Sequence, residues 1–314
     1  MILAALTPET KAVLHKTQLL APTVQMILRR SLNAVRSREG YRSGLAHPSV
    51  IAGGDINLTR MVSFANALTP ETVPPMVRLA VLEETEAREG TDYFGERLSE
   101  RLFDTPPAIA RVWRSHAATR SMVVSAEATR DLQGRAPEFI WRLLRGDPTR
   151  TRIEPLDDRG LRARITLDWQ LPRPVPGRPE IRSNRIDIGV FASTGEHDSM
   201  PGLISILLPQ HETRRYGSGP DGEMRIESRD FRMPESGYAD PALFPRAEWR
   251  DTYRYDDAGR LQGWDRQGAD GTRRFDAEGR QVTADGNRPV RHLVERPSGD
   301  VPYIRLEDGF NLPD

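Results

Sequence analysis

Between Met122 and Leu208 apolar and polar side chains alternate with a period of two. Met122, Val124 and Ala126 form one such set, and Phe139, Trp141 and Leu143 form the next. Leu161, Ala163, Ile165, Leu167 and Trp169 follow, then Ile186, Ile188, Val190 and Ala192, and finally Ile204, Ile206 and Leu208. A strand sends successive side chains to opposite faces, so each set lines one face while Arg162, Arg164, Thr166 and Asp168 point to water. These segments predict a small antiparallel β-sandwich with Trp141 in its middle. Asp131-Leu132-Gln133-Gly134 reads as a turn between two of the strands, with glycine supplying a positive φ, and Gly195–Pro201 reads as another. The prolines of Leu171–Pro179 predict an extended crossover, because proline cannot pair in the centre of a sheet.

Upstream the period lengthens. Thr7-Pro8-Glu9 starts a helix with a capping hydroxyl, proline at the first position and an acid in the first turn. Ala21-Pro22 is expected to end it. Thr23 is then expected to cap a second helix over 23–35, with Val24, Ile27, Leu28, Leu32 and Val35 on one side and fraying over Arg36–Gly40. Asn57 or Asp55 starts a third, facing Leu58, Met61, Val62, Ala65 and Leu68 inward. Thr69-Pro70-Glu71 repeats the start signal, but Val73-Pro74-Pro75 blocks a helix. Met76–Leu82 predicts a strand, Leu98–Pro107 a polar linker and Ala108–Trp113 a further strand. The expected fold class is α+β: a mainly helical region over 1–105, a sandwich over 106–212, and a β-hairpin meander with a tail over 213–314.

Composition narrows this picture. A chain of 314 residues is long enough for two or three units. Hydrophobic content of 37%, with 25 glycines and 25 prolines, fits many turns and short strands better than long helices. Basic and acidic residues balance at 45 each, so bulk charge argues for neither nucleic acid nor an anionic membrane. The positive charge is almost all arginine, which reads first as coding bias in a GC-rich genome. With no cysteine, disulfides, thiol catalysis and cysteine metal sites are excluded. No run approaches the roughly 18 apolar residues of a membrane span. Met1–Leu6 lacks the basic leader of a signal peptide. Either the chain is cytosolic or its export signal lies upstream, and the early first helix favours an extracytoplasmic protein.

Two family resemblances enter here. Residues 121–208 resemble the PKD-type Ig-like domains of secreted and cell-surface proteins. The likeness rests on Ser125-Ala126 before an Asp-containing, Gly-ended turn, Phe139-Ile140-Trp141 on the next strand, and the Arg185–Ala192 strand. It implies a spacer or binding module attached to an exported bacterial protein, often an enzyme. Tyr253-Arg254-Tyr255-Asp256-Asp257-Ala258-Gly259-Arg260 resembles a YD repeat of the RHS kind. Phe275-Asp276-Ala277-Glu278-Gly279-Arg280 repeats it twenty positions later, and Tyr216-Gly217 with Asp221-Gly222 is a degenerate third copy. An aromatic ends a strand, Asp opens a turn, and glycine three positions on takes the left-handed geometry. In that family long arrays form shells or bind carbohydrate, and two copies are too few to enclose anything.

Candidate chemistry is sparse. Trp249, Tyr253, Tyr255 and Trp264 could stack on sugar faces with Asp256 or Asp265 accepting hydroxyls, or they could be the meander's own core. Asp131 and the Glu196-His197-Asp198 loop could meet at one end of the sandwich as oxygen ligands for calcium, or be solvated turn acids. His15, His47 and His211 have no evident partner. Glu83, Glu84, Glu86 and Glu89 could supply a glycosidase pair, but an acidic run is ordinarily a solvated face. The helix over 23–35, with Arg29-Arg30, could dock on an upstream domain of the same gene product. No HExxH, GxSxG, P-loop or GxGxxG occurs. The expected function is a non-catalytic accessory protein binding a glycan or a protein at the cell surface. A hydrolase using Glu83, Glu84 and His47 is one alternative, and a structural spacer is another.

Overall fold

The computed structural model describes residues 1–93, 99–209, 212–232, 248–295 and 303–307. The helices are α1 (Ile2–Ala5), α2 (Pro8–Lys16), α3 (Leu20–Arg30), α4 (Arg38–Tyr41) and α5 (Leu58–Ala67). Thr7 caps α2 as its sequence implies, its Oγ1 accepting from the Thr10 amide at 3.1 Å. Ala21-Pro22 does not end a helix. Pro22 lies in the first turn of α3, where a missing N–H leaves no bond unmade, and Thr23 is buried inside the helix instead of capping it. Residues 36–40 do not fray either, since the Ser37 hydroxyl accepts from the Gly40 amide and starts α4. Asn57 caps α5, which buries Met61 and Ala65. Leu58, expected inward, is half exposed because it stands at the first helical position, past the end of the buried stripe.

The next strands are β1 (Ala80–Glu84), β2 (Arg101–Thr105), β3 (Ala108–Val112), β4 (Thr119–Ser125), β5 (Glu138–Arg145) and β6 (Thr151–Pro155). They continue with β7 (Arg162–Asp168), β8 (Arg173–Val175), β9 (Arg178–Ser183), β10 (Arg185–Ser193) and β11 (Gly202–Leu207). One sheet runs β1-β4-β7-β6, a second runs β2-β3-β11-β10-β5, and β8 pairs β9 alone. The strand expected at Met76–Leu82 starts later, and part of the expected linker at 98–107 is β2. The proline-rich crossover is a two-stranded hairpin, which needs fewer amide donors than a sheet centre and turns at Gly177 (φ 77°).

The alternation of β7 holds: Ala163, Ile165 and Leu167 are buried while Arg162 and Arg164 face out. Trp141 is buried and its Nε1 donates to the Gly160 carbonyl at 2.8 Å. In β10 nearly every side chain is buried, not every second one. A bulge in the β5–β10 pairing also releases Leu144 from the ladder, so that Leu144, more than Leu143, is buried. The cause is a second covered face. Leu144 and Phe191 join Leu14, Met26, Ile27, Tyr41 and Leu68 in one hydrophobic cluster, so the helices and the sheet share a core.

The C-terminal strands are β12 (Glu212–Ser218), β13 (Met224–Phe231), β14 (Trp249–Tyr255), β15 (Leu261–Gly268), β16 (Gly271–Asp276), β17 (Gln281–Thr283) and β18 (Gly286–Arg288). They form one antiparallel sheet in sequential order, the expected meander. A separate pair joins β19 (Arg291–Glu295) and β20 (Tyr303–Glu307). Taken as a whole the chain is mostly β-sheet with a few N-terminal helices. It divides into two compact units that are discontinuous in sequence. One comprises Met1–Glu84, Phe103–Ala110 and Ser121–Ile206, and the other Thr85–Leu102, Arg111–Arg120 and Leu207–Asp314.

One turn recurs in both units. The Gly259 amide donates to the Asp256 carbonyl at 2.8 Å while the Asp256 carboxylate accepts from the Arg260 amide and Nε, each at 2.8 Å. Asp276, Gly279 and Arg280 repeat this arrangement. So do Asp131, Gly134 and Arg135 in the first unit, and Asp157 with Gly160 forms the same turn without the arginine side chain. Each glycine has φ between 65° and 79°, which a side chain would strain.

Candidate functional site

The aromatic residues of the C-terminal sheet are largely internal. Tyr253 and Trp264 oppose one another across β14 and β15 and, with Ile226 and Phe275, form its hydrophobic cluster. The Trp264 ring stacks on Phe275 at 5.1 Å and 11°. Tyr255 is half-buried and donates to the Ile226 carbonyl at 2.9 Å. Trp249 is half-buried between the Phe231 ring at 4.6 Å and the Arg266 guanidinium at 4.4 Å. Asp256 is half-buried at its turn, bonded to Arg260.

The acids expected as oxygen ligands are held by arginines. Burial raises the Asp131 pKa, and Arg135, bonding both carboxylate oxygens, with the turn amides more than reverses this. Asp198 is fully buried and receives both Arg38 and Arg42, each through two N–H groups at 2.6–2.9 Å. Burial pushes its pKa up, but these bonds pull it to about 2. Glu196 is exposed and lies 3.8 Å from the His197 ring. Among the described residues no three carboxylates or histidines gather as a metal would require.

His47 is an internal group. Its Nε2 donates to the Tyr41 carbonyl at 2.8 Å and its Nδ1 is buried without a partner among the described residues. Burial, then the charge of Arg29, depress its pKa to about 3, so the ring is neutral. Glu83 is exposed and 3.8 Å from Arg164, and His15 is exposed. His211 lies outside the described residues. A histidine–acid pair does exist elsewhere, at residues the sequence did not single out. His116 Nδ1 lies 2.6 Å from Asp92 Oδ1, which also accepts the His116 amide, and the imidazole stacks near Tyr253.

An open cleft of about 510 Å³ lies in the first unit. It is lined by Arg30, Arg36, Arg38, Arg60 and Phe64, with Glu196 at its margin. Local structure sets each arginine a different task. Arg60 donates to the carbonyls of Leu32 and Val35, closing the end of the segment after α3. Arg38 is consumed by Asp198 and Ser193. Arg29, the other half of the pair at the end of α3, turns away to the Ala46 and Pro48 carbonyls. Arg30 is different. Its guanidinium carbon lies 4.8 Å from the Tyr41 ring and 5.3 Å from the Phe64 ring, and its Nε is buried without a partner among the described residues. Burial lowers its pKa from the ordinary value, though not enough to neutralise an arginine. In the sequence the Arg29-Arg30 dipeptide and the Glu196-His197-Asp198 loop were the traces of this site. Tyr41 and Phe64, which hold Arg30 in place, carry no local signal.

No protein-family model matches the chain, and no curated protein matches it.

Proposed function

We propose that the chain is a non-catalytic binding protein of the cell exterior, built from a PKD/Ig-like sandwich and a YD-type meander, and that it recognises its ligand at the arginine cleft of the first unit. One observation carries this reading: Arg30 is half-buried with its Nε out of water, flanked by two rings and without an acceptor among the described residues. Burying a cation without an acceptor is costly, and a site that keeps one is prepared for a ligand that completes it. The resemblances at 121–208 and 253–280 support an exported setting. The inward packing of Tyr253 and Trp264 shifts the recognition surface away from the meander. Calcium has no part in this reading, since Asp131 and Asp198 already satisfy their charge with arginine.

The test uses the intact protein on arrays of neutral and acidic glycans and peptides, followed by hydrogen exchange with any ligand retained. Amides in 30–41 and 58–67 should slow. If no array member is retained, or if protection falls away from those segments, the reading fails.

A second reading is favoured by the Asp92–His116 pair. A carboxylate holding Nδ1 leaves Nε2 to accept a proton, the arrangement a hydrolytic base uses. Turnover of model esters or glycosides that disappears in His116→Gln would favour this reading over the first.

A further inference from the structure

We infer that the ligand group taken by the cleft is an oxyanion, carboxylate or phosphoryl or sulfuryl, gripped by Arg30 and Arg36. This deepens the binding reading above and rests on it. The inference starts from which charges are already spoken for. Of the arginines lining the cleft, Arg38 is matched by the buried Asp198, and Arg60 is tied to two backbone carbonyls. Arg30 and Arg36 have no hydrogen bond or ion pair to any described residue, and Arg36 is exposed. Glu196 is the one acid on the lining, and its side chain is 66% exposed and lies 3.8 Å from the His197 ring. The cleft therefore carries a cationic surplus.

Geometry then selects the ligand. The Tyr41 and Phe64 rings hold the Arg30 guanidinium, fixing it at little further entropic cost. With Nε buried, the terminal amino groups are the edge left for the cleft. A planar fork so restrained matches the two oxygens of a carboxylate, phosphate or sulfate better than it matches a single carbonyl or hydroxyl. A cation ligand would meet repulsion, and a neutral sugar would leave both guanidiniums without a counter-charge. Arg36, exposed at the margin, adds attraction without imposing geometry.

The experiment is calorimetric titration of the full chain with inorganic phosphate, sulfate and acetate, at ionic strength held constant with sodium chloride. Saturable binding of at least one is expected. Arg30→Ala should weaken it by about tenfold or more, and Arg30→Lys by nearly as much, because an ammonium cannot present the fork. Arg36→Ala should weaken it severalfold, and Arg152→Ala, at an exposed strand position, should change nothing. Preference for phosphate or sulfate over acetate, or the reverse, identifies the source of the oxyanion. Absence of saturable binding by all three anions overturns the inference, and so does affinity unchanged in both Arg30→Ala and Arg36→Ala. Because Arg36 is exposed, its variant remains informative if Arg30→Ala does not fold. The two proposals fail separately: a neutral array ligand that protects the cleft would sink the oxyanion and keep the binding site, whereas anion binding with no array ligand would do the opposite.

Discussion

The two units solve the same problem, a sheet that must bury one face, with different materials. In the first, aliphatic side chains from helices and strands cover the sheet that contains β10 on a second face as well, and polar groups such as Asp198 are drawn in with their arginines. In the second, the cluster consists of Ile226, Tyr253, Trp264 and Phe275, in a segment poor in leucine and isoleucine. Buried guanidinium–carboxylate pairs supplement it: Arg266 with Asp251, and Arg214 and Arg229 with Glu212. Arg266 also lies over the Trp249 and Phe275 rings. A core of few rings is concentrated, so each residue matters more. A core of many aliphatics distributes the same burial, and its covered sheet leaves the outer helical surface available to build a cleft.

That contrast can be broken most directly at Trp264. Replacing it by alanine should cost about 3–5 kcal/mol and unfold the C-terminal sheet first, seen as early loss of protection in β14–β16 during denaturant titration. An equal loss of protection in the helices of the first unit would show that the cores are not separate in stability. Next comes Asp251, whose removal leaves Arg266 uncompensated. Asp251→Ala should cost about 3–5 kcal/mol, and the apolar pair Asp251→Leu with Arg266→Met should recover much of it. If the double variant is no better than the single, charge pairing is not what Asp251 supplies.

Acid probes the buried titrating groups of the first unit. The folded pKa of Asp198 lies near 2, below its ordinary 3.8, so its contribution of about 2 kcal/mol is present above pH 3.8 and lost as pH falls towards 2. His47 is depressed from 6.5 to about 3, so the unfolded chain takes up the proton first and stability also falls between those values. Urea unfolding at pH 7, 5 and 3 should therefore show the first unit weakening, with less weakening between pH 7 and 5 in His47→Gln. The smallest effect expected is at the recurring turns. Gly134→Ala, at φ 70° with open space around it, should cost about 1–2 kcal/mol in the first unit. Gly259→Ala, at φ 75°, should cost more in the second, because its methyl group would meet the Arg225 guanidinium. Equal losses in melting experiments would mean that the Arg225 side chain moves aside freely.

Much of the fold was legible locally. The caps at Thr7 and Asn57, the outward arginines of β7 and the Asp-x-x-Gly turns depend on neighbours a few positions away, and sequence displays those neighbours. Pro22 misled because its tolerance depends on where the helix begins, which packing decides. β10 misled because period-two reasoning assumes one wet face, and the helices remove it. The candidate site was barely legible at all. Asp198 reads as a turn acid until Arg38 and Arg42 arrive from 160 and 156 positions away.

By itself, then, the sequence determined the alternating extended segments, the helix starts at Thr7 and Asn57 and the turn chemistry, because those follow from side-chain period and short-range hydrogen bonding. Tertiary structure alone decided which carboxylates were already neutralised and which guanidinium was left waiting between two rings. The physical reason is that charge compensation acts between side chains distant along the chain, and only folding brings those partners within a hydrogen bond of each other.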